Sequence, residues 1–88
     1  MNARIAAMET RLAALEPRSL DIIDESRKHA GHAGAREGGG HYVVNIVSPH
    51  FTGKGTMARH RMIYLALAEM MKTEIHALTI HAQAPDEL

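Results

Sequence analysis

Seven histidines and no cysteine in 88 residues decide what chemistry this chain can do. Two of them, His29 and His32, sit in the glycine-rich stretch RKHAGHAGAREGGG (27–40), and a third, His76, opens an apolar run much later. Neutral imidazole ligates zinc, copper, nickel and iron, and it replaces thiolate on one iron of a Rieske-type 2Fe–2S centre. Two or three histidines with no Cys, Asp or Glu between them make an incomplete site, because a structural zinc takes four ligands. From the residues alone, the plainer reading of histidines in such a loop is a solvated side chain. His41 and His81 read as structural or exposed, and the sequence assigns nothing to His50.

Arg59-His60-Arg61 is the second constellation, with Lys54 shortly before it. Two positive charges near a helix start oppose the helix dipole, and an anion there relieves the cost. Lys54, Arg59 and Arg61 are therefore the candidates for phosphate contact, against the plainer reading of a solvated first turn. His60 falls on the side of Ile63 and Leu67 and is expected half-buried. Gly53-Lys54-Gly55 is one residue short of the G-x-x-G loop that clamps a nucleic-acid backbone in KH domains. Gly53-Lys54-Gly55-Thr56 also lacks the first glycine of a phosphate loop, and a glycine parts its Lys from its Thr. Asp24-Glu25-Ser26 offers no nucleophile–base pairing, so the chain does not read as an enzyme.

The elements that must position these residues follow from periodicity. Asn2–Leu15 is expected as an amphipathic helix with Ile5, Met8, Leu12 and Leu15 on one face, ended by Pro17. Leu20–Asp24 reads as a first strand, and His41–Ser48 as a second, closed by Pro49. Residues 27–40 form a long hairpin loop between them. Thr56–Met71 reads as the main helix, with Thr56 as N-cap and a length of roughly 24 Å. Ile75–Ala82 is the third strand, with His76, Leu78 and Ile80 on one face. Ala84-Pro85-Asp86-Glu87-Leu88 is compatible with a final helical turn, Pro85 at its first position.

The order is α-β-β-α-β. An antiparallel hairpin followed by a right-handed crossover gives a three-stranded mixed sheet with helices on one face, an α/β fold. Topology then makes a point about the histidines. The hairpin loop leaves strand one at the end where strand two begins, and strand three, parallel to strand two, begins there as well. His76 and the loop histidines are thus expected at one edge of the sheet.

The order F-x-G (Phe51, Gly53), then Arg59-His60-Arg61 at a helix head, then Ile75-His76-Ala77-Leu78 opening a strand, resembles the BolA family. Upstream, Asp24-Glu25-Ser26, His29-Ala30-Gly31-His32 and Gly40-His41-Tyr42 match that family in order and spacing. The likeness runs from about Ile5 to Pro85. It implies a fold similar to the type II KH domain. It also implies a monothiol glutaredoxin as partner, with a 2Fe–2S cluster shared between glutaredoxin, its glutathione and this chain. The histidine matching His76 and a loop residue, His29 first and His32 second, would be this chain's ligands. With no cysteine, the partner would bring all the sulfur, and the chain would hold no cluster alone. Bacterial-type members are described as DNA-binding transcriptional regulators of stress response and cell morphology. That makes duplex DNA the alternative partner, through the Arg59-His60-Arg61 helix.

Bulk numbers bound the rest. Eighty-eight residues suit a single small domain, and 45% hydrophobic content suits a folded one. With no Trp and one Phe, the core must come from aliphatic side chains and six Met. Ten basic residues cancel ten acidic ones, which argues against a generally basic nucleic-acid surface. Locally, however, no acid occurs between Gly38 and Ala68, where Lys54, Arg59 and Arg61 lie. No membrane-length apolar stretch and no signal-peptide pattern are present, so a cytoplasmic protein with no membrane partner and no small-molecule substrate is expected.

Overall fold

A computed structural model describes residues 2–26 and 39–88. Helix α1 covers Ala3–Leu12, started by Asn2, whose side chain accepts hydrogen bonds from the amides of Arg4 and Ile5 at 2.9 and 3.2 Å. The expected helix to Leu15 tightens instead into a 3₁₀ turn at Ala13–Leu15 and stops at Glu16, a non-glycine residue at φ 49°. Strand β1 is Ser19–Asp24 and strand β2 is Gly40–Val47, each within a residue or two of the pattern. They pair antiparallel, with Leu20 opposite Ile46 and Ile22 opposite Val44.

Strand β3, Ile75–Gln83, runs parallel to β2 on its other side, with Val44 opposite Ile80, so the order is β1-β2-β3. β2 is central and alternates cleanly: Tyr42, Val44 and Ile46 are buried, and His41, Val43, Asn45 and Val47 face the other way. The buried face meets Met8 and Leu12 of α1 and Ile63 of helix α2, Thr56–Ala66, in a single cluster with Phe51, Leu67, Met70 and Ile75. Both helices therefore cover one face of a mixed α/β sheet, in the α-β-β-α-β order expected.

Three local expectations are corrected. First, α2 ends at Ala66, not Met71; Leu67 leaves the helical region and the chain continues through i−3 turns to a 3₁₀ segment at Met70–Lys72. No Gly or Pro marks this end. A helix running on to Met71 would leave Lys72–Glu74 alone to reverse the chain, while Leu67, Met70 and Ile75 all have to enter the core. Packing overrides propensity there. Second, Thr56 is the first helical residue; the N-cap is Gly55, with no side-chain cap bond. Third, β3 does not alternate from its first residue. The register slips between Gly40 and His41, which pair with Ile75 and Ala77 and leave His76 without a partner on β2. This β-bulge buries Ile75 and still turns Leu78 and Ile80 inward, so His76 does not share their setting: it is exposed.

Candidate functional site

The bulge sets the site. Gly39, where the chain returns from the hairpin loop, passes so close to His76 that a Cβ on it would lie 2.9 Å from the His76 Cβ. Gly40 is equally confined, with a Cβ there meeting Ser26 Oγ at 2.6 Å. The outgoing side of the loop is tied to the same spot. The Ser26 hydroxyl accepts from the His41 amide at 3.2 Å, and the Glu25 amide donates to the His41 carbonyl at 2.9 Å. Asp24 accepts from the Ser26 amide at 2.8 Å and from the Asn2 side chain at 2.7 Å. Hydrogen bonds from Ser26 hold the Asp24 carboxyl below its usual range. The returning foot of the hairpin loop thus stands beside His76, and the outgoing foot is held to the same end of β2, as the crossover argument requires. His29 and His32 themselves lie outside the described residues.

The exposed imidazole of His76 is the candidate donor at this end. The chain has no thiolate, and among the described residues no three His, Cys, Asp or Glu side chains gather as a metal cage. An exposed ring on a bulge, backed by a glycine, can present a nitrogen to iron held by another molecule. Completing a site there takes further donors beside His76.

The arginine end is different. Arg59, on the first turns of α2, is almost wholly buried. Its guanidinium donates to the Lys54 carbonyl at 2.8 Å, to the Ala82 carbonyl at 3.0 Å, and to both oxygens of Glu87 at 2.6 Å. It also stands 6.0 Å from the centre of the Phe51 ring. Hydrogen bonding to Arg59 pulls the Glu87 carboxyl down to about 2, and Glu87 in turn raises Arg59. Arg59 is thus committed inside the protein and is no free phosphate contact; the basic patch reduces to the exposed Lys54 and Arg61.

Glu87 was not singled out from sequence, though Pro85 and the acids after it mark the turn that carries it. Pro85–Glu87 forms a 3₁₀ turn, and the Glu87 carboxylate also accepts from the amide of Ala84 just before it at 2.9 Å. Other histidines settle plainly: His41 Nε2 lies 3.1 Å from Thr79 Oγ1, and His50 Nε2 lies 2.8 Å from Glu16 Oε1. His60 is half-buried, and with Thr56 and Arg59 it walls an open cleft of about 370 Å³ whose floor is Ile80–Gln83.

Comparison with known proteins agrees with this architecture. The family model for the BolA-like protein matches residues 12–87. The chain is 45% identical over 69 residues to the DNA-binding transcriptional regulator BolA of Escherichia coli, covering 78% of this chain and 63% of that protein. It is 40% identical over 81 residues to human BolA-like protein 1, covering 91% of this chain and 57% of that one. The chain thus spans somewhat less than two thirds of the length of these two relatives. Among solved structures, the BolA domain of SufE1 from Arabidopsis thaliana superposes with a TM-score of 0.88 at 37% identity, over 100% of this chain and 99% of that one. BolA1 from the same plant gives 0.84 at 39% identity, over 100% and 98%. The fold, the matched span and the identity agree, and this chain is a member of the BolA-like family.

Proposed function

We propose that this chain is a non-enzymatic partner of a monothiol glutaredoxin, and that its imidazoles complete the ligand set of a bridging 2Fe–2S cluster in iron–sulfur trafficking. The observation that carries the reading is His76: an exposed imidazole, on a bulge, against Gly39 at the foot of the loop that holds His29 and His32. Without cysteine the chain lacks ligands for a second iron, so the glutaredoxin and its glutathione supply the thiolates. His76 gives one nitrogen and His29, with His32 as the second candidate, gives the other. Histidine ligation lowers the negative charge on the cluster and raises its reduction potential relative to all-thiolate binding.

The test is reconstitution. This protein alone, treated with iron and sulfide, should develop no visible absorption. Mixed with cluster-loaded monothiol glutaredoxin and glutathione, it should form a heterodimer with an altered visible circular dichroism spectrum. Acidification through the imidazole range should erode that spectrum, because a protonated ring cannot ligate. A spectrum unchanged on mixing contradicts the proposal.

A second reading, duplex DNA binding, is favoured by one specific observation. Lys54 and Arg61 stay exposed around the start of α2, in a stretch without a carboxylate from Gly39 to Leu67. Its signature is salt-dependent affinity carried by those two side chains.

A further inference from the structure

The buried side chains of α2, Arg59 and Ile63, lie two residues to either side of Arg61. Two residues turn a helix by about 200°, so Arg61 points straight away from the core. Around it stand three large apolar side chains that the fold leaves in solvent: Met57 is 76% exposed, Leu65 71% and Tyr64 40%. Met57, Arg61 and Leu65 follow one another at four-residue steps and form a ridge about 12 Å long, with Tyr64 alongside. Exposed apolar residues scattered singly are ordinary; three grouped on one helix face mark an interaction surface. The charge at the centre is open as well. Among the described residues no carboxylate pairs with Arg61 or Lys54: Glu87 is held by Arg59 and Glu69 by Lys72, and the chain has no acid between Gly38 and Ala68.

We propose that this face of α2 docks an amphipathic helix of a partner protein, one that carries a carboxylate between two aliphatic side chains. Its aliphatic groups pack on Met57 and Leu65, about 12 Å apart, which matches positions i and i+7 or i+8 of the incoming helix. Its carboxylate meets the Arg61 guanidinium between them, and the Tyr64 phenol closes one side. Charge and apolarity together select this occupant. Duplex DNA would satisfy Arg61 but would cover Met57 and Leu65 with polar backbone. A bilayer takes apolar side chains, yet a face that enters the acyl boundary keeps its cations on the polar side, and here the cation is central. A second copy meeting this face about a twofold axis sets Arg61 against Arg61. The patch is small, so the association is weak and transient, and it uses none of the histidines of the cluster site.

The test uses the full-length, isotope-labelled protein and a synthetic amphipathic helix of about eighteen residues, with Leu at i and i+7 and Glu at i+3 and i+4. This acidic peptide should move the methyl resonances of Met57 and Leu65, leave those of the buried Met8 and Ile75 in place, and bind with a Kd below about 1 mM. Arg61→Glu should weaken that binding about tenfold. A peptide with Lys in place of Glu should reverse the order, binding Arg61→Glu about tenfold more tightly than wild type. Leu65→Ser should weaken the acidic peptide about tenfold. All these positions are exposed, and circular dichroism checks that each variant is folded. No methyl shift up to about 1 mM peptide, or equal binding of both peptides to wild type, overturns the proposal. So does a random-sequence duplex that moves the Met57 and Leu65 methyls and excludes the peptide, which gives the face to DNA. Anionic phospholipid vesicles that bind wild type but not Leu65→Ser give it to a membrane and overturn the proposal equally.

Discussion

At one end of the sheet the Arg59 guanidinium spends four hydrogen bonds inside the protein; at the other, the His76 imidazole stands exposed on a bulge. Both residues come from constellations that look equally capable of chemistry in the sequence. The difference lies in what surrounds them. Arg59 has carbonyls from two other segments and a carboxylate delivered by the C-terminal turn, so its charge is satisfied locally and its role is to hold β3, α2 and the tail together. His76 has a glycine beside it and a register slip beneath it, which frees the ring to meet something brought from outside. A charged side chain with four of its five N–H donors bound inside the protein is structural; an unburdened imidazole at the foot of a loop is available for recognition.

Breaking the closed end should have the largest effect. Arg59→Ala removes all four bonds and leaves the Ala82 carbonyl and Glu87 without their partner, so the melting temperature should fall by several degrees. Arg61→Ala, on the exposed side of the same helix, should change it by about a degree or less. Thermal melts followed by circular dichroism decide this; equal shifts would place Arg59 outside the structural role given it here.

The same end should show in acid. The folded Glu87 carboxyl lies near 2 against an ordinary value of 4.5, so its contribution is fully present above the ordinary value and is lost as pH falls toward 2. Glu87→Gln should flatten the decline of stability between about pH 4.5 and 2. Asp24 is shifted in the same direction and keeps a smaller slope below its ordinary 3.8 in that variant. Because Glu87 is partly exposed, added salt should weaken the effect.

At the open end, Gly39→Ala is the sharper probe. A Cβ at 2.9 Å from the His76 Cβ, and 3.2 Å from its amide nitrogen, has no flexible side-chain tip to push aside. The strand start must move, at about 1–3 kcal/mol. The amide resonances of Gly40 and His76 should shift while those around Arg59 stay still. A shift at both ends would mean the ends are coupled.

The smallest effect concerns the DNA reading. With Arg59 committed, only Lys54 and Arg61 can touch phosphate, so the double change to Ala should lower the salt dependence of duplex binding by up to about two in slope. Titrations at several salt concentrations measure it; a slope unaffected by the double change removes this surface from the reading.

The sequence carried the architecture well because its strongest signals were the right kind. β2 is rich in β-branched and aromatic residues, Pro49 and the glycines punctuate the chain, and two apolar helix faces remain to cover one side of the sheet. From that order alone the hairpin loop and the start of β3 had to meet, and Gly39 does lie on His76. What the sequence hid were contacts set by distant segments. Nothing in Arg59-His60-Arg61 says that the first arginine is turned inward, because its carboxylate comes from Glu87, 28 residues on. The bulge at His76 is equally silent, since one extra residue leaves the apolar pattern Ile75, Leu78, Ile80 readable as simple alternation with one exception. The end of α2 lay hidden because Leu67–Lys72 consists of good helix formers that packing bends away.

The central claim is that His76 ligates a cluster held jointly with a glutaredoxin, and one measurement addresses it most directly. Cluster-loaded monothiol glutaredoxin with glutathione is titrated with wild type, His76→Ala and His81→Ala while the visible circular dichroism is recorded. His81, exposed farther along the same strand, serves as the control for a generic imidazole. Wild type and His81→Ala should produce the same altered spectrum, and His76→Ala should leave the glutaredoxin spectrum as it was. A His76→Ala protein that gives the wild-type spectrum would contradict the account.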